Sequence, residues 1–209
     1  MDNLDLDFLF ESHPDANLQL ADPYLLSYYK DLQRRTIFIT EEIGDNCYDL
    51  IKLILQWNYE DRGIEPQDRE TIRIIIASMG GSLESAESLC NIIELSETPI
   101  WTMGIGCVAT AASLIFLAGH KRFILQNGYF ILHKGSVNKL SGSADEVRAF
   151  MRDYEKQLDL MRDYYVSHTK YTKEEIDSGI SGDWYVRGDE ILEKGIAHDR
   201  INDIGVFFS

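Results

Sequence analysis

The sequence predicts an α/β domain with a largely parallel sheet, on three observations. Short β-branched runs alternate with stretches whose apolar residues recur every three or four positions. Two of those runs lead straight into glycine-rich turns, Ser78-Met79-Gly80-Gly81 and Gly104-Ile105-Gly106-Cys107. A stretch from about 144 to 169 then keeps a single apolar stripe along its whole length.

Each element follows in order. Thr36-Ile37-Phe38-Ile39 is β-rich, and residues from about 45 to 58 place Leu50, Ile51, Leu53, Ile54 and Trp57 near one helical face. A polar loop with a proline, Glu60 to Arg69, separates them from the buried strand Ile72 to Ala77. Ser82 or Ser85 caps a helix that carries Ala86, Leu89, Cys90 and Ile93 inward. Pro99 to Gly106 is a strand, followed by a small-residue turn and the helical run Ala111 to Ala118. Phe123 to Leu125 and Tyr129 to Leu132 are strands joined by Gln126-Asn127-Gly128. In the long helix Val147, Phe150, Met151, Tyr154, Leu158, Met161 and Tyr165 form the stripe. Its length, about 39 Å at 1.5 Å per residue, exceeds what a domain of this size readily covers. The stripe packs on its own core or protrudes to meet another subunit.

Composition bounds the function. A chain of 209 residues with 44 % apolar content is one folded domain, neither disordered nor low in complexity. With 20 Lys+Arg against 35 Asp+Glu the net charge is −15, which disfavours nucleic acid and anionic membranes as partners. Residues 1 to about 34 form an acidic arm, with apolar bursts at Phe8-Leu9-Phe10 and Tyr24-Leu25-Leu26. It lacks the basic and apolar regions of a secretory signal, and no run is long enough to span a membrane. Cys47, Cys90 and Cys107 are odd in number and far apart, which fits neither a disulfide framework nor a zinc site. The expectation is a cytoplasmic protein with no metal and no cofactor.

The chemistry-bearing residues sit at element ends. Glycine-rich backbone after a buried strand exposes N–H groups that can hold an oxyanion. Thr110 lies at a strand-to-helix junction, where a hydroxyl beside a base can act as a nucleophile. His133 ends a strand, and Asp183 follows Gly179-Ile180-Ser181-Gly182. Each has an ordinary structural reading too: a helix-start threonine, a satisfied histidine, a loop carboxylate. Their combination is hydroxyl, imidazole and carboxylate.

In this order the residues resemble the proteolytic subunit of the Clp protease (the ClpP family). Arg35-Thr36-Ile37-Phe38-Ile39 is similar to its first strand, Ala118-Gly119 with Lys121-Arg122-Phe123 and Asn127 to the run before its His, and Glu190 to Asp199 to its closing segment. The resemblance spans about 24 to 204. It implies a crotonase-like β-α spiral over 35–204 with a protruding handle helix at about 142–169. It further implies Thr110 as nucleophile, His133 as general base, Asp183 as the orienting carboxylate, and the amides of Gly80 and Ala111 as oxyanion hole. The implied activity is serine-type endopeptidase cleavage of unfolded polypeptide inside a self-assembled chamber of stacked seven-membered rings, homo-oligomeric and fed by an ATP-dependent AAA+ unfoldase.

Four departures stand out. Thr110 replaces the family's Ser, Ala77-Ser78-Met79-Gly80-Gly81 lacks its Pro, Gly182 stands where an Arg is common, and Lys134-Gly135 replaces Gln-Pro. Ser113 and Cys107 lie off the nucleophile position. The threonine and the altered turn motivate a second reading, a catalytically silent ring subunit. A crotonase-type acyl-CoA enzyme is the third, disfavoured by the His/Asp pair and by chain length.

Overall fold

The computed structural model describes residues 22–135 and 141–208. Helix α1 (Pro23–Gln33) opens on a proline and is capped by Asp22, whose Oδ1 accepts from the Tyr24 N–H at 2.9 Å; none of its residues is buried. The expected acidic arm lies outside the described residues up to 21, and the remainder is this exposed helix.

Among the described residues seven strands follow: β1 (Thr36–Ile39), β2 (Ile72–Ser78), β3 (Ile100–Ala109), β4 (Lys121–Leu125), β5 (Tyr129–Leu132), β6 (Trp184–Val186) and β7 (Asp199–Ile201). They run β1-β2-β3-β4-β7 in parallel, while β5 pairs with the end of β3 and takes β6 antiparallel on its far side. Nearly every residue of β2 is buried, which is what a parallel strand covered on both faces requires.

Helices α2 (Asn46–Glu60), α3 (Leu83–Leu95), α4 (Ala111–Ala118), α5 (Ala144–His168), α6 (Lys173–Gly179), α7 (Glu190–Glu193) and α8 (Gly205–Phe208) are the further α-helices among the described residues. Every residue of α4 is buried, so this helix, apolar except for Ser113, lies in the centre of the core. Phe116 on α4 meets Phe130 on β5 edge-on, with centroids 4.9 Å apart. Ser82 is the cap of α3, its Oγ accepting from the Ser85 N–H.

Strand β3 is longer than its sequence suggests. The glycine-rich stretch after Met103 continues as strand to Ala109. The β2 register jumps from Ile76↔Gly104 to Ser78↔Val108, so β3 bulges and bends there. Trp101 to Gly104 then pair with β4, and Cys107 to Ala109 pair with β5. Gly104 makes the bend possible, because a Cβ there would lie 2.7 Å from Ile124 Cδ1. The partner switch delivers Thr110 to the start of α4 beside the end of β5.

Helix α5 has 25 residues, about 37 Å, and opens with a capping box between Ser143 and Glu146. Only Met161 and Tyr165 on its far half are buried. Phe150 and Leu160 remain 48 % and 60 % exposed. The helix therefore projects beyond the body that its last turns pack on.

Behind β1, Arg35 grips Asp61 with both guanidinium nitrogens, at 2.6 and 2.8 Å, and Thr98 Oγ1 donates to the same carboxylate. Asp61 is buried, and the guanidinium holds its carboxyl below the usual carboxylate range. Asp61→Ala leaves Arg35 without its buried partner and is expected to cost about 3–5 kcal/mol in urea unfolding at pH 7. Because the folded-state pKa is the depressed one, this contribution is present above about pH 4 and is lost as pH falls below it. Unfolding at pH 7 and pH 3 should show the gap between wild type and Asp61→Ala narrowing in acid.

Candidate active site

Thr110 connects β3 to α4 with φ 50° and ψ −120°, a conformation that a β-branched residue adopts only under constraint. Its N–H donates to the Ile131 carbonyl at 3.0 Å, extending the β3–β5 ladder by one residue. Its Oγ1 lies 2.6 Å from His133 Nε2. Hydroxyl and imidazole, 23 residues apart, are thus joined because β3 and β5 are neighbours.

The Ser78–Gly81 turn packs against the same junction. Gly80 has φ +95°, and a Cβ there would lie 2.6 Å from the Ala109 carbonyl oxygen, 2.8 Å from Thr110 Cβ and 3.1 Å from the Ala111 nitrogen. The Gly80 N–H itself donates to Ser78 Oγ at 3.2 Å, and that hydroxyl in turn donates to the Glu41 carbonyl. Ala111 N–H is the first amide of α4 and donates to no described residue. Neither does the N–H of Gly81, which lines the same cleft. Of the two amides expected from the sequence, Ala111 is free and Gly80 is engaged, while Gly81 offers a free N–H that the sequence reading missed. Two successive glycines carry no signal of which one faces inward.

His133 Nδ1 accepts from the Gly135 N–H at 3.0 Å. An acceptor at Nδ1 places the proton of the neutral ring on Nε2, so that nitrogen donates to the Thr110 hydroxyl in this resting arrangement. Asp183 is exposed and has no hydrogen-bond or ion-pair partner among the described residues. β5 and β6 are in antiparallel register at Ile131↔Tyr185 and Leu132↔Trp184, which is the last pair of the ladder; His133 follows β5 and Asp183 precedes β6. Beyond that pair the register changes, since the Lys134 N–H donates to the Ile180 carbonyl. The structure joins Thr110 to His133 and makes no hydrogen bond from either to Asp183.

The cleft in front of these groups encloses about 530 Å³ and is bordered by Glu41, Glu42, Met79, Gly81, Thr110 and His133. Met79, where the sequence reading noted a missing proline, is 68 % exposed at its rim. Ser113 is no competitor for the nucleophile, because its buried hydroxyl donates to the Thr110 carbonyl.

Comparison with known proteins decides the family. The Clp protease family model matches residues 22–203. The chain belongs to the Clp protease family. Among its members, a proteolytic subunit of the ATP-dependent Clp protease from Dehalococcoides mccartyi is 28 % identical over 79 % of this chain and 80 % of its own length. Proteolytic subunit 2 from Treponema pallidum is 24 % identical over 83 % of this chain and 85 % of its own. A ClpP1 mutant structure from Listeria monocytogenes superposes with a TM-score of 0.72, covering 85 % of this chain and 96 % of that one at 22 % identity. That likeness establishes the ClpP-like β-α spiral for the Clp protease chain described here, with α5 as the handle. Among the described residues no helix is long and apolar enough to cross a membrane.

Proposed function

We propose that the chain is a Clp-type endopeptidase subunit that cleaves unfolded polypeptide by acyl transfer from Thr110. The 2.6 Å contact between Thr110 Oγ1 and His133 Nε2, in a cleft also lined by Gly81, carries this reading. For attack, the His133 ring leaves the Gly135 N–H and turns Nδ1 toward Asp183, so the ring proton resides on Nδ1 and Nε2 is the base. Nε2 takes the hydroxyl proton as Oγ1 bonds to the peptide carbonyl carbon. The amides of Ala111 and Gly81 receive the oxyanion. Collapse breaks the C–N bond, Nε2–H protonates the leaving amine, and a water activated by the same nitrogen releases the acyl group and restores Thr110. Asp183 steadies the imidazolium throughout.

The exposed stripe of the handle and the exposed aromatics of α1 support assembly with further copies in a cytoplasmic homo-oligomer of stacked rings. An AAA+ unfoldase is the partner that would feed such a chamber. Hydrolysis of a short fluorogenic peptide by wild type, with Thr110→Ala as the blank, tests the reading. Equal activity in the two would end it.

The Gly135–His133 contact and the unpaired Asp183 favour a second reading, a ring subunit without turnover. A serine-hydrolase phosphonate discriminates between them. Mass-spectrometric labelling at Thr110 supports the enzyme, and no labelling supports the silent subunit.

A further inference from the structure

Two buried polar side chains play no part in the chemistry above, and they meet directly behind the nucleophile. Ser113 on α4 and Tyr165 on α5 are each 1 % exposed. Ser113 Oγ lies 2.5 Å from the Thr110 carbonyl oxygen and 2.7 Å from the Tyr165 hydroxyl. A carbonyl can only accept, so the single Ser113 proton goes to Thr110 and the Tyr165 hydroxyl must donate to Ser113. Burial raises the pKa of the tyrosine, which keeps that donor protonated. The result is a directed chain, Tyr165 O–H to Ser113 O–H to Thr110 C=O, in a dry interior where successive hydrogen bonds reinforce one another.

The peptide joining Thr110 to Ala111 is planar and trans, so its C=O and N–H point in opposite directions. Fixing the Thr110 oxygen therefore fixes the direction of the Ala111 N–H, which is one of the two amides assigned to the oxyanion. It also closes a clamp on a strained residue. Thr110 is held on its N-terminal side by the Ile131 carbonyl at 3.0 Å, and on its C-terminal side by the Ser113 N–H at 2.9 Å together with the Ser113 hydroxyl. Backbone at φ 50° persists in a threonine only when its surroundings over-determine it.

We infer that Ser113 and Tyr165 are positioning residues that aim the Ala111 amide and hold Thr110 against His133. The inference rests on the reading of Thr110 as nucleophile. It is specific to these side chains, since neither touches the cleft.

The full-length chain carrying Ser113→Ala, Tyr165→Phe or both is assayed for peptide hydrolysis and for Tm. A mis-aimed oxyanion donor acts on the transition state and not on substrate binding. Ser113→Ala is expected to lower kcat by about 10- to 100-fold with KM within about twofold, somewhat less than outright loss of such a donor. Tyr165→Phe keeps the ring and removes only the hydroxyl, and should lower kcat about three- to tenfold. Because both act through one chain, the double variant should match Ser113→Ala within about twofold. Ile93→Val, a core change remote from the junction, should lower Tm with kcat unchanged. A Ser113→Ala enzyme with wild-type kcat, a defect confined to KM, or a double variant whose losses multiply would each overturn the inference. Should wild type and Thr110→Ser both be inert, the nucleophile reading fails by itself. Crystal structures of wild type and Ser113→Ala then decide the positioning role: a rotated Thr110–Ala111 peptide supports it, and an unchanged one refutes it.

Discussion

Thr110→Ala is expected to lower peptide hydrolysis at least about 10³-fold, whereas Thr110→Ser should raise it about tenfold. The first number follows from the role: removing the nucleophile of a hydroxyl/His/Asp site leaves only binding and oxyanion stabilisation. The second follows from the methyl. Its presence predicts from the sequence either a hydroxyl locked in an unproductive rotamer or a crowded path of attack. The 2.6 Å contact of Oγ1 with His133 removes the first possibility, since χ1 already points the oxygen at the base. Crowding remains, because the methyl is a second heavy atom on Cβ beside the oxygen that the carbonyl must approach. Relief of about 1.4 kcal/mol in the approach of the carbonyl corresponds to tenfold in rate. A serine also bears the positive φ at lower cost, lacking the second branch. Thr110→Gly separates strain from chemistry: it should be inactive, yet unfold at no lower urea concentration than wild type despite losing a buried side chain. A rate for Thr110→Ser at or below wild type would show that the methyl is not the brake.

How much was legible in the sequence depended on whether a contact was local. Helix α4 could be read to the residue, since Ala111 to Ala118 is apolar except for Ser113 and lies between a threonine and a glycine. The stripe of α5 could be read because 3.6-residue periodicity sustained over many turns has few alternatives. The end of β3 could not. Gly104 and Gly106 signal a turn locally, and only the choice between β4 and β5 as partners makes them a bend within a strand. Strand β6 has three residues and pairs with β5 across some fifty positions, so no periodicity announces it. For the same reason Asp183, just ahead of β6, was reachable through family resemblance but not from pattern. The Gly135 N–H on His133 and the Ser113–Tyr165 contact are likewise tertiary. Thr110 and His133 meet in the structure because residues at the ends of adjacent parallel strands converge whatever lies between them.

Gly80→Ala should abolish most of the activity, by about 10²- to 10³-fold in kcat, and should cost about 2–4 kcal/mol of stability. Two independent penalties coincide there. The φ of +95° lies where a side chain is strained whatever the space, and the new methyl would stand 2.6 Å from the Ala109 carbonyl oxygen and 3.1 Å from the Ala111 nitrogen. Both obstacles are backbone, so no rotamer change relieves them. Either the Ser78–Gly81 turn withdraws or the Ala109–Ala111 segment does. Withdrawal of the turn takes the Gly81 N–H away from the cleft, and displacement of the segment moves Thr110 Oγ1 and the Ala111 N–H together. On the proposed mechanism each route removes an oxyanion donor, so the loss should fall on kcat. Gly44→Ala is the matched control, since it lies in the loop that faces this turn, has no positive φ and has open space at its Cβ. It should keep kcat and stay within about 0.5 kcal/mol of wild type. If Gly80→Ala hydrolyses peptide like Gly44→Ala while unfolding earlier, the turn supports the fold alone and the oxyanion lies elsewhere.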